Sequence, residues 1–484
     1  MQIAGITSDS RKVRPGFVFV AIRGQQHDGH QYLNEALERG ASLLVVEQEI
    51  PRDVDCSRAT VWRVTNSRLA LAELACEFFD HPSKQLVVIG VTGTNGKTTT
   101  SHLCHHILSA SVRIGLIGSV RVDTVGRSLP GGLTTPESVT LQAYMREMLA
   151  NHARAVVMEV SSHGIKQHRV HGISFDAAVF TNLSPDHMDF HPNFQDYLHS
   201  KTQLFRMLPS NGLAVLNLDD PYIEEFQKAA HCQQVLYSLD AENQNAHVCA
   251  RNIRCTPEGC RFQLVIRPGI QTAWGREVRP EVLEATLPLL GSHNVANALS
   301  AIALGLWQGA SPTDLVSRLE SFRGVPRRLQ IVRSSPWWII DDYAHNQANY
   351  RVALQSTALL PYQHLRLLVS VRGNRGSHVN REMAEEIVRS AVEARLRTLV
   401  VTDAYEAVTD KDRVTADERA AFWKPLSSLE VDHRIHCRRL DDALRLILSY
   451  VQPGDAVLLL GAQGLDRAQE ILAGFSNEAR IRLH

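Results

Sequence analysis

The chain has 484 residues, 44% hydrophobic and 21% charged, and its 51 acidic and 51 basic side chains cancel. That is ordinary globular composition, with material for about three domains. The balance leaves no basic footprint for nucleic acid and no acidic partner surface. Eight cysteines are scattered without a Cys-x-x-Cys pair, which argues against zinc or disulfide frameworks and fits a reducing cytoplasmic setting. Met1 to Gly5 has no basic or long apolar leader, so no signal peptide is expected. No run approaches the ~18 apolar residues of a membrane span, so no membrane partner is expected either.

Residues 1–83 read as a small α/β unit. Gly16–Ile22 is a predicted strand, Tyr32–Gly40 a helix stopped by glycine, and Ala41–Val46 a second strand. Two polar turns follow strands: Thr7-Ser8-Asp9-Ser10-Arg11 and the stretch from Gly24 through Gln25, Gln26 and His27 to His30. Their hydroxyls, amides and arginine suit a nucleotide base or phosphate, and they equally suit ordinary turn chemistry. His81-Pro82-Ser83 marks a boundary.

Residues 84–323 alternate strands and helices, which predicts a mainly parallel sheet covered on both faces. Leu86–Gly90 is a strand, Val91-Thr92-Gly93-Thr94-Asn95-Gly96 a glycine-bearing turn, and Thr98–Ala110 a helix. Strand, turn and helix in that order cradle phosphate. Gly93 and Gly96 let backbone N–H groups turn inward, Lys97 can reach the outer phosphates, and the Thr98 hydroxyl can ligate Mg²⁺. Val91 stands where the full Walker spacing has glycine. Glu159 ends the strand Ala155–Val160, and His187 follows the strand Ala177–Leu183. The pair could hold a hard cation beside the phosphate turn, or be a satisfied histidine and a capping acid. In the predicted helix 193–208, Lys201 is seven residues after Phe194 and four from Tyr197 and Phe205, on the apolar face. A bare buried ammonium is costly. It must find a partner, lose its charge or be chemically altered, unless it snorkels past the rim.

A strand-rich insert runs to about residue 285, and Gly291 to Asn297 opens a helix with Asn294 and Asn297 on one face. Gly324-Val325-Pro326-Arg327-Arg328 reads as the second linker. Residues 324–484 are again α/β, with strands at 338–340, 367–371, 399–403 and 456–460 ending in polar loops.

Gly93–Thr99, Met158–His163, Asp186-His187, Lys201, His293–Asn297 and Asp342–His345 together resemble the Mur ligase family over essentially the whole chain. The resemblance implies three α/β domains: an N-terminal UDP-binding domain, a central P-loop ATPase domain and a C-terminal Rossmann-like domain that takes the amine. It implies an ADP-forming ligase that activates the carboxylate of a UDP-N-acetylmuramoyl-peptide as an acyl phosphate and joins it to an amino acid or amine. Gly93, Thr94, Asn95, Gly96, Lys97, Thr98, Thr99, Asn294, Asn297, Arg328 and Asp342 would bind ATP. Thr98, Glu159, His187 and a carbamylated Lys201 would hold two Mg²⁺ ions, with Lys97, Glu159, His187 and Lys201 as the catalytic set. Ser8, Ser10, Gln25, Gln26, His27, Thr134, Thr135, Ser161, Gln167 and Arg169 match the UDP-substrate positions.

The amine half departs from the family. Its Asp-Asn-Pro-Arg turn is here Asp403-Ala404-Tyr405-Glu406, and its Gly-Lys-Gly-His-Glu loop is Gly461-Ala462-Gln463-Gly464-Leu465. Arg375 keeps its place and would bind an α-carboxylate, with Tyr405 and Glu406 beside it, while a second carboxylate has no evident partner. An amine other than diaminopimelate or lysine is therefore expected. Two other readings stay open: a ligase of the same type acting on a non-muramoyl carboxylate, and a catalytically silent nucleotide-binding module. The sequence does not give the oligomeric state.

Overall fold

The computed structural model describes residues 3–24 and 27–481, so Gln25 and Gln26 lie outside the described residues. Near the N-terminus four short strands form a parallel sheet in the order Gly5–Thr7, Phe17–Val20, Leu43–Val46, Thr60–Arg63. Side chains alternate across a strand, and here both faces are covered. Phe19 and Leu44 pack with Leu33 and Ala36 on one side, and Val18, Val20 and Val45 with Ala70 and Leu71 on the other. The helix predicted to run to Gly40 spans Leu33–Glu38, and Gly40 takes φ 90° in the turn beyond it.

The larger sheet has a parallel core in the order Gln233–Ser238, Leu213–Asn217, Ala177–Phe180, Val87–Thr92, Ala155–Glu159, Ile114–Ile117. Arg121–Asp123 and Ser128–Pro130 then add antiparallel at the edge. The strand before the glycine turn therefore lies in the sheet interior, paired on both sides through Val91 and on one side through Thr92. That is why it runs two residues past the predicted end at Gly90. Ligands of such sheets bind beyond the carboxyl ends of the strands, where Gly93, Glu159 and Thr181 emerge. Beneath them Phe180 stacks on Phe226 with centroids 3.6 Å apart, and Phe205 meets Phe226 edge-on at 5.3 Å.

The predicted strand-rich insert contains Val248–Thr256, Gly259–Ile266 and Glu281–Leu287. Here one expectation fails. Cys255 and Cys260, five apart across a tight turn, are joined by a disulfide. Spacing alone gave no sign of it, because the hairpin register brings the two together.

Chain contacts divide into two compact units. One runs through Cys249 and takes in Leu264–Leu283 and Ala296–Arg318; the other comprises Ala250–Gln263, Glu284–Val295 and the chain from Leu319 onward. The second unit carries a six-stranded sheet ordered Gln330–Arg333, Trp338–Asp342, Ala456–Leu460, Leu365–Ser370, Leu396–Thr402, His433–Cys437. Only its first pair is antiparallel. Its inner strands read as continuous apolar runs because helices bury both faces: Leu367, Val369, Leu399 and Leu458 on one, Leu368, Val400, Val457 and Leu459 on the other. Among the described residues no helix is long and apolar enough to cross a membrane.

Phe226 is fully buried in the aromatic stack. Phe226→Ala is expected to lower unfolding free energy by about 3–5 kcal/mol, read from urea denaturation.

Candidate active site

The glycine turn leaves the carboxyl end of strand Val87–Thr92. Gly93 has φ 150° and Gly96 φ 84°. A Cβ on Gly93 would stand 1.9 Å from Thr181 Oγ1, and one on Gly96 2.7 Å from Asn297 Oδ1. The turn is laced to the loop after Ala177–Phe180. The Thr94 and Asn95 amides donate to the carbonyl and side-chain oxygens of Asn182 at 2.8 and 3.0 Å, and Thr181 Oγ1 donates to the Asn95 carbonyl at 2.6 Å. Helix Lys97–Leu108 follows immediately.

Two lysines converge on one oxygen. Lys97 Nζ donates to the carbonyls of Gly93 at 2.9 Å and Thr94 at 2.7 Å, and Lys201 Nζ donates to the same Gly93 carbonyl at 2.7 Å. Lys201 comes from helix Phe194–Arg206, whose N-cap Asn193 accepts from the Asp196 amide at 2.9 Å. It is 1% exposed, which excludes snorkelling, and sits 4.6 Å from the centre of the Tyr197 ring. Burial, and then the charge of Lys97, hold its amine well below the usual lysine range, with Asp186 opposing.

Glu159 is also 1% exposed. Its Oε1 accepts from the Ser119 amide at 2.9 Å and hydroxyl at 3.2 Å, and its Oε2 from Thr98 Oγ1 at 3.0 Å. These donors, two hydroxyls and a backbone amide, are all neutral. Such a donor set fits a hard cation, with Thr98 and Ser119 supplying further oxygens. Among the described residues no three His, Cys, Asp or Glu side chains converge as a cation cage. Mg²⁺ needs no such cage, since it keeps several waters and takes few protein ligands. Ser119 escaped the sequence reading; its signal is a Gly-Ser pair just after a buried strand.

His187, at φ 58°, stands on the loop after Asn182, with its ring edge-on to His163 at 4.7 Å. Behind it the buried His191 reaches Asp196 Oδ2 through Nδ1 at 2.5 Å and Ser162 Oγ through Nε2 at 3.0 Å. This relay was also missed. It ties the His187 loop to the start of helix Ser162–Lys166.

The expected UDP-substrate residues are partly gathered. Thr135 Oγ1 donates to the Glu159 carbonyl at 3.0 Å and accepts from the Ser161 amide at 2.9 Å. Arg169 donates to the Thr135 carbonyl at 2.8 Å and to Gln167 Oε1 at 2.6 Å, so Thr135, Ser161, Gln167 and Arg169 share one wall, with Thr134 next to Thr135 in the chain. On the N-terminal sheet Ser8 and His27 are exposed, while the Ser10 hydroxyl donates to Glu35 at 2.6 Å. Asn297 Oδ1 accepts from Thr100 Oγ1 at 3.2 Å, and Asn294 Nδ2 donates to the Leu290 carbonyl at 2.8 Å.

In the second unit Arg328 lies 4.8 Å from the Tyr343 ring centre, and Asp342 Oδ2 accepts from the Leu329 amide at 2.8 Å. The preceding Arg327, at φ 59°, sends its guanidinium to Asp341 Oδ1 at 3.2 Å, to Asp466, and to the carbonyls of Gly461 and Ala462. The Arg375 and Gly376 amides donate to Glu418 Oε1 at 3.0 and 2.9 Å. The Glu406 carboxylate accepts from the Leu440 amide at 2.7 Å, at the start of helix Leu440–Ser449. Ala404 has φ 46°, a conformation that asparagine adopts far more readily than alanine. Next to it opens a cavity of about 310 Å³ lined by Asp403, Tyr405, Arg413, Arg419, His436 and Arg438.

Residues 91–305 match the Mur ligase middle domain, 327–463 the Mur ligase glutamate ligase domain, and 2–79 the Mur ligase family catalytic domain. The chain belongs to the Mur ligase family. It is an ATP-dependent, ADP-forming ligase that makes a carbon–nitrogen bond, and ligases of this family use Mg²⁺. It is 33% identical over 478 residues to a UDP-N-acetylmuramoyl-L-alanyl-D-glutamate–2,6-diaminopimelate ligase of Bacillus velezensis, covering 97% of this chain and 91% of that one. It is 35% identical over 484 residues to a UDP-N-acetylmuramyl-tripeptide synthetase of Deinococcus radiodurans, covering 97% and 92%. In fold it resembles a solved 2,6-diaminopimelate ligase with TM-score 0.65 at 24% identity, covering 99% and 96%. It also resembles the Thermotoga maritima MurF ligase in complex with ADP, with TM-score 0.68 at 18% identity, covering 99% and 98%. The expected Mur ligase fold of α/β domains is thus found.

Burial pushes the Asp342 carboxyl from 3.8 up to about 6, with the Arg328 charge opposing. Between those values the native state holds a proton that the unfolded chain has released, so stability falls as pH rises through that window. Asp342→Asn is expected to flatten that fall, measured by thermal unfolding at a series of pH values from 3.5 to 7, roughly the span set by the two titrations.

Proposed function

We propose that this Mur ligase joins the carboxylate of a UDP-N-acetylmuramoyl-peptide to an amino acid or amine other than diaminopimelate or lysine, in a specialised pathway or in cell-wall synthesis. The carboxylate attacks the γ-phosphate of ATP, ADP leaves, and the amine displaces phosphate from the acyl phosphate to form the amide. Carboxylates are poor acyl donors, so the phosphoryl group supplies the leaving group; the protein supplies positioning and charge neutralisation.

The observation that carries this reading is the convergence of Lys97 and Lys201 on the Gly93 carbonyl beside the buried Glu159. Gly93–Thr99 would hold the triphosphate, and Lys97 would leave its backbone acceptors for the outer phosphates. Thr98, Glu159, His187 and a modified Lys201 would hold Mg²⁺, two ions in all. Bound there, Mg²⁺ would neutralise phosphate charge. Lys201 suits carbamylation because burial beside another cation favours its neutral amine. That amine adds to carbon dioxide, forms an N–C bond and loses one proton, leaving an anionic carbamate. Asn294, Asn297, Arg328 and Asp342 would complete the nucleotide site. Ser8, Ser10, His27 and the wall of Thr134, Thr135, Ser161, Gln167 and Arg169 would hold the UDP-peptide. Arg375 and Tyr405 would face the amine. The atypical amine is supported by the altered turns at 404–407 and 461–465 and by Glu406, which spends its carboxylate on a helix start.

With UDP-N-acetylmuramoyl-dipeptide fixed and amines varied, phosphate release should appear with at least one amine, and its absence with all of them would remove the proposed donor. Lys97→Ala should lower turnover by at least about a thousandfold. Lys201→Ala should be as damaging but partly restored by formate or acetate standing in for the carbamate; full unaided activity would refute the assigned role of Lys201.

A further inference from the structure

One histidine that the proposed reaction does not use is sealed from solvent: the His191 side chain is 0% exposed. Both ring nitrogens are committed. Nδ1 lies 2.5 Å from Asp196 Oδ2, and Nε2 lies 3.0 Å from Ser162 Oγ. A carboxylate only accepts, so Nδ1 carries the proton, and the Ser162 hydroxyl donates to Nε2 of the neutral ring. The backbone is committed too, since the His191 amide donates to the His187 carbonyl at 2.9 Å. Asp196 Oδ2 also accepts from Lys166 Nζ at 2.5 Å, so the carboxylate beside the ring is already paired.

Each of these bonds ends on a segment that carries an assigned group. Ser162 opens helix Ser162–Lys166, three residues after Glu159. Asp196 lies in the first turn of helix Phe194–Arg206, five residues before Lys201. His187 itself precedes His191 by four residues. A further contact runs through packing. The His191 ring stands edge-on to Tyr197 with centroids 5.1 Å apart, and the Tyr197 ring centre is 4.6 Å from Lys201 Nζ. Tyr197 is buried as well, and its hydroxyl meets Thr94 Oγ1 of the glycine turn at 3.0 Å. One imidazole therefore touches, directly or through one ring, the segments of Glu159, His187 and Lys201. A leucine would fill the same space, but it has no directional bonds. Losing them would leave buried polar partners unsatisfied and the three segments free to slip.

We propose that His191 is a positioning residue for the ligase reaction: it locks the helix of Lys201 to the segment after Glu159, and so sets the Lys201 amine for carbamylation. The proposal rests on the ligase reading above and adds a residue that acts only through others. The covalent step keeps its balance: an N–C bond forms to carbon dioxide and one proton is lost. His191 sets where the amine stands when that happens. Groups that react together must be held to within about 0.5 Å, and a misplacement of about 1 Å costs roughly a hundredfold in rate.

The test uses the full chain. The Lys201 carbamate is counted by ¹³C resonance after equilibration with labelled bicarbonate, without nucleotide, with Lys201→Ala as the blank. Turnover is measured with ATP, UDP-N-acetylmuramoyl-dipeptide and the amine that gives the fastest phosphate release. His191→Leu should lose most of the carbamate signal and lower kcat about a hundredfold, with each KM changed less than about threefold. His191→Asn keeps a donor toward Asp196 and should recover at least about tenfold of kcat together with the signal. Ser162→Ala removes one bond and leaves the ring in place. It should lower kcat about tenfold, and it decides the matter if urea denaturation shows that His191→Leu does not fold. Unchanged kcat and carbamate in His191→Leu, or in Ser162→Ala where that variant decides, would overturn the proposal. So would a His191→Asn variant no better than His191→Leu. If no amine supports turnover, the assigned donor falls and the carbamate signal decides the role of His191. If the unaltered chain holds no carbamate, the modification of Lys201 falls and kcat decides it. If both are missing, the proposal falls with them.

Discussion

Everything at this site depends on a single backbone oxygen. The Gly93 carbonyl receives hydrogen bonds from Lys97 and Lys201, which come from different helices and would otherwise repel. Burial, and then the charge of Lys97, press Lys201 toward the neutral amine. A carbonyl can be presented this way only because residue 93 has no side chain, since any Cβ would collide with Thr181. The glycine therefore matters as much for what it lets the lysines do as for the space it leaves for phosphate.

Around that oxygen the site is layered by solvent access. Glu159 and Lys201 are sealed under the loop, with hydroxyl donors from Thr98 and Ser119 closing one side. His187 and Arg169 stand further out, with partly exposed side chains, while Thr135 is buried as deeply as Glu159. The Asp196–His191–Ser162 relay joins the layers. It fixes the outer loop to the same helix that carries Lys201, because Asp196 lies in that helix's first turn.

The sequence was most legible where local pattern and chemistry coincide. A buried strand, two glycines and Lys-Thr are adjacent in the chain, so the phosphate turn could be read without tertiary information. Lys201 was found because a helix repeats its faces, and one charged residue broke an apolar stripe. Ser119 and His191 were not found, since loops have no period and each gains meaning only from a partner distant in sequence. The same holds for Arg413 and Arg438, which reach Tyr405 from two separate loops, and for Cys255 and Cys260, whose pairing is a matter of hairpin register. Glu406 has a tie the local pattern did not show: its carboxylate accepts from the backbone at the start of a neighbouring helix.

Arg327 adopts a backbone conformation that L-residues seldom take, and its guanidinium clasps Asp341, Asp466 and the carbonyls of Gly461 and Ala462. The strap beginning at residue 327 and the turn after Ala456–Leu460 are thereby riveted into one lever. Whatever swings the first must carry the second with it. In this chain, then, any displacement of the backbone at residues 327–328 reshapes the 461–465 turn as well, so the two cannot be set independently.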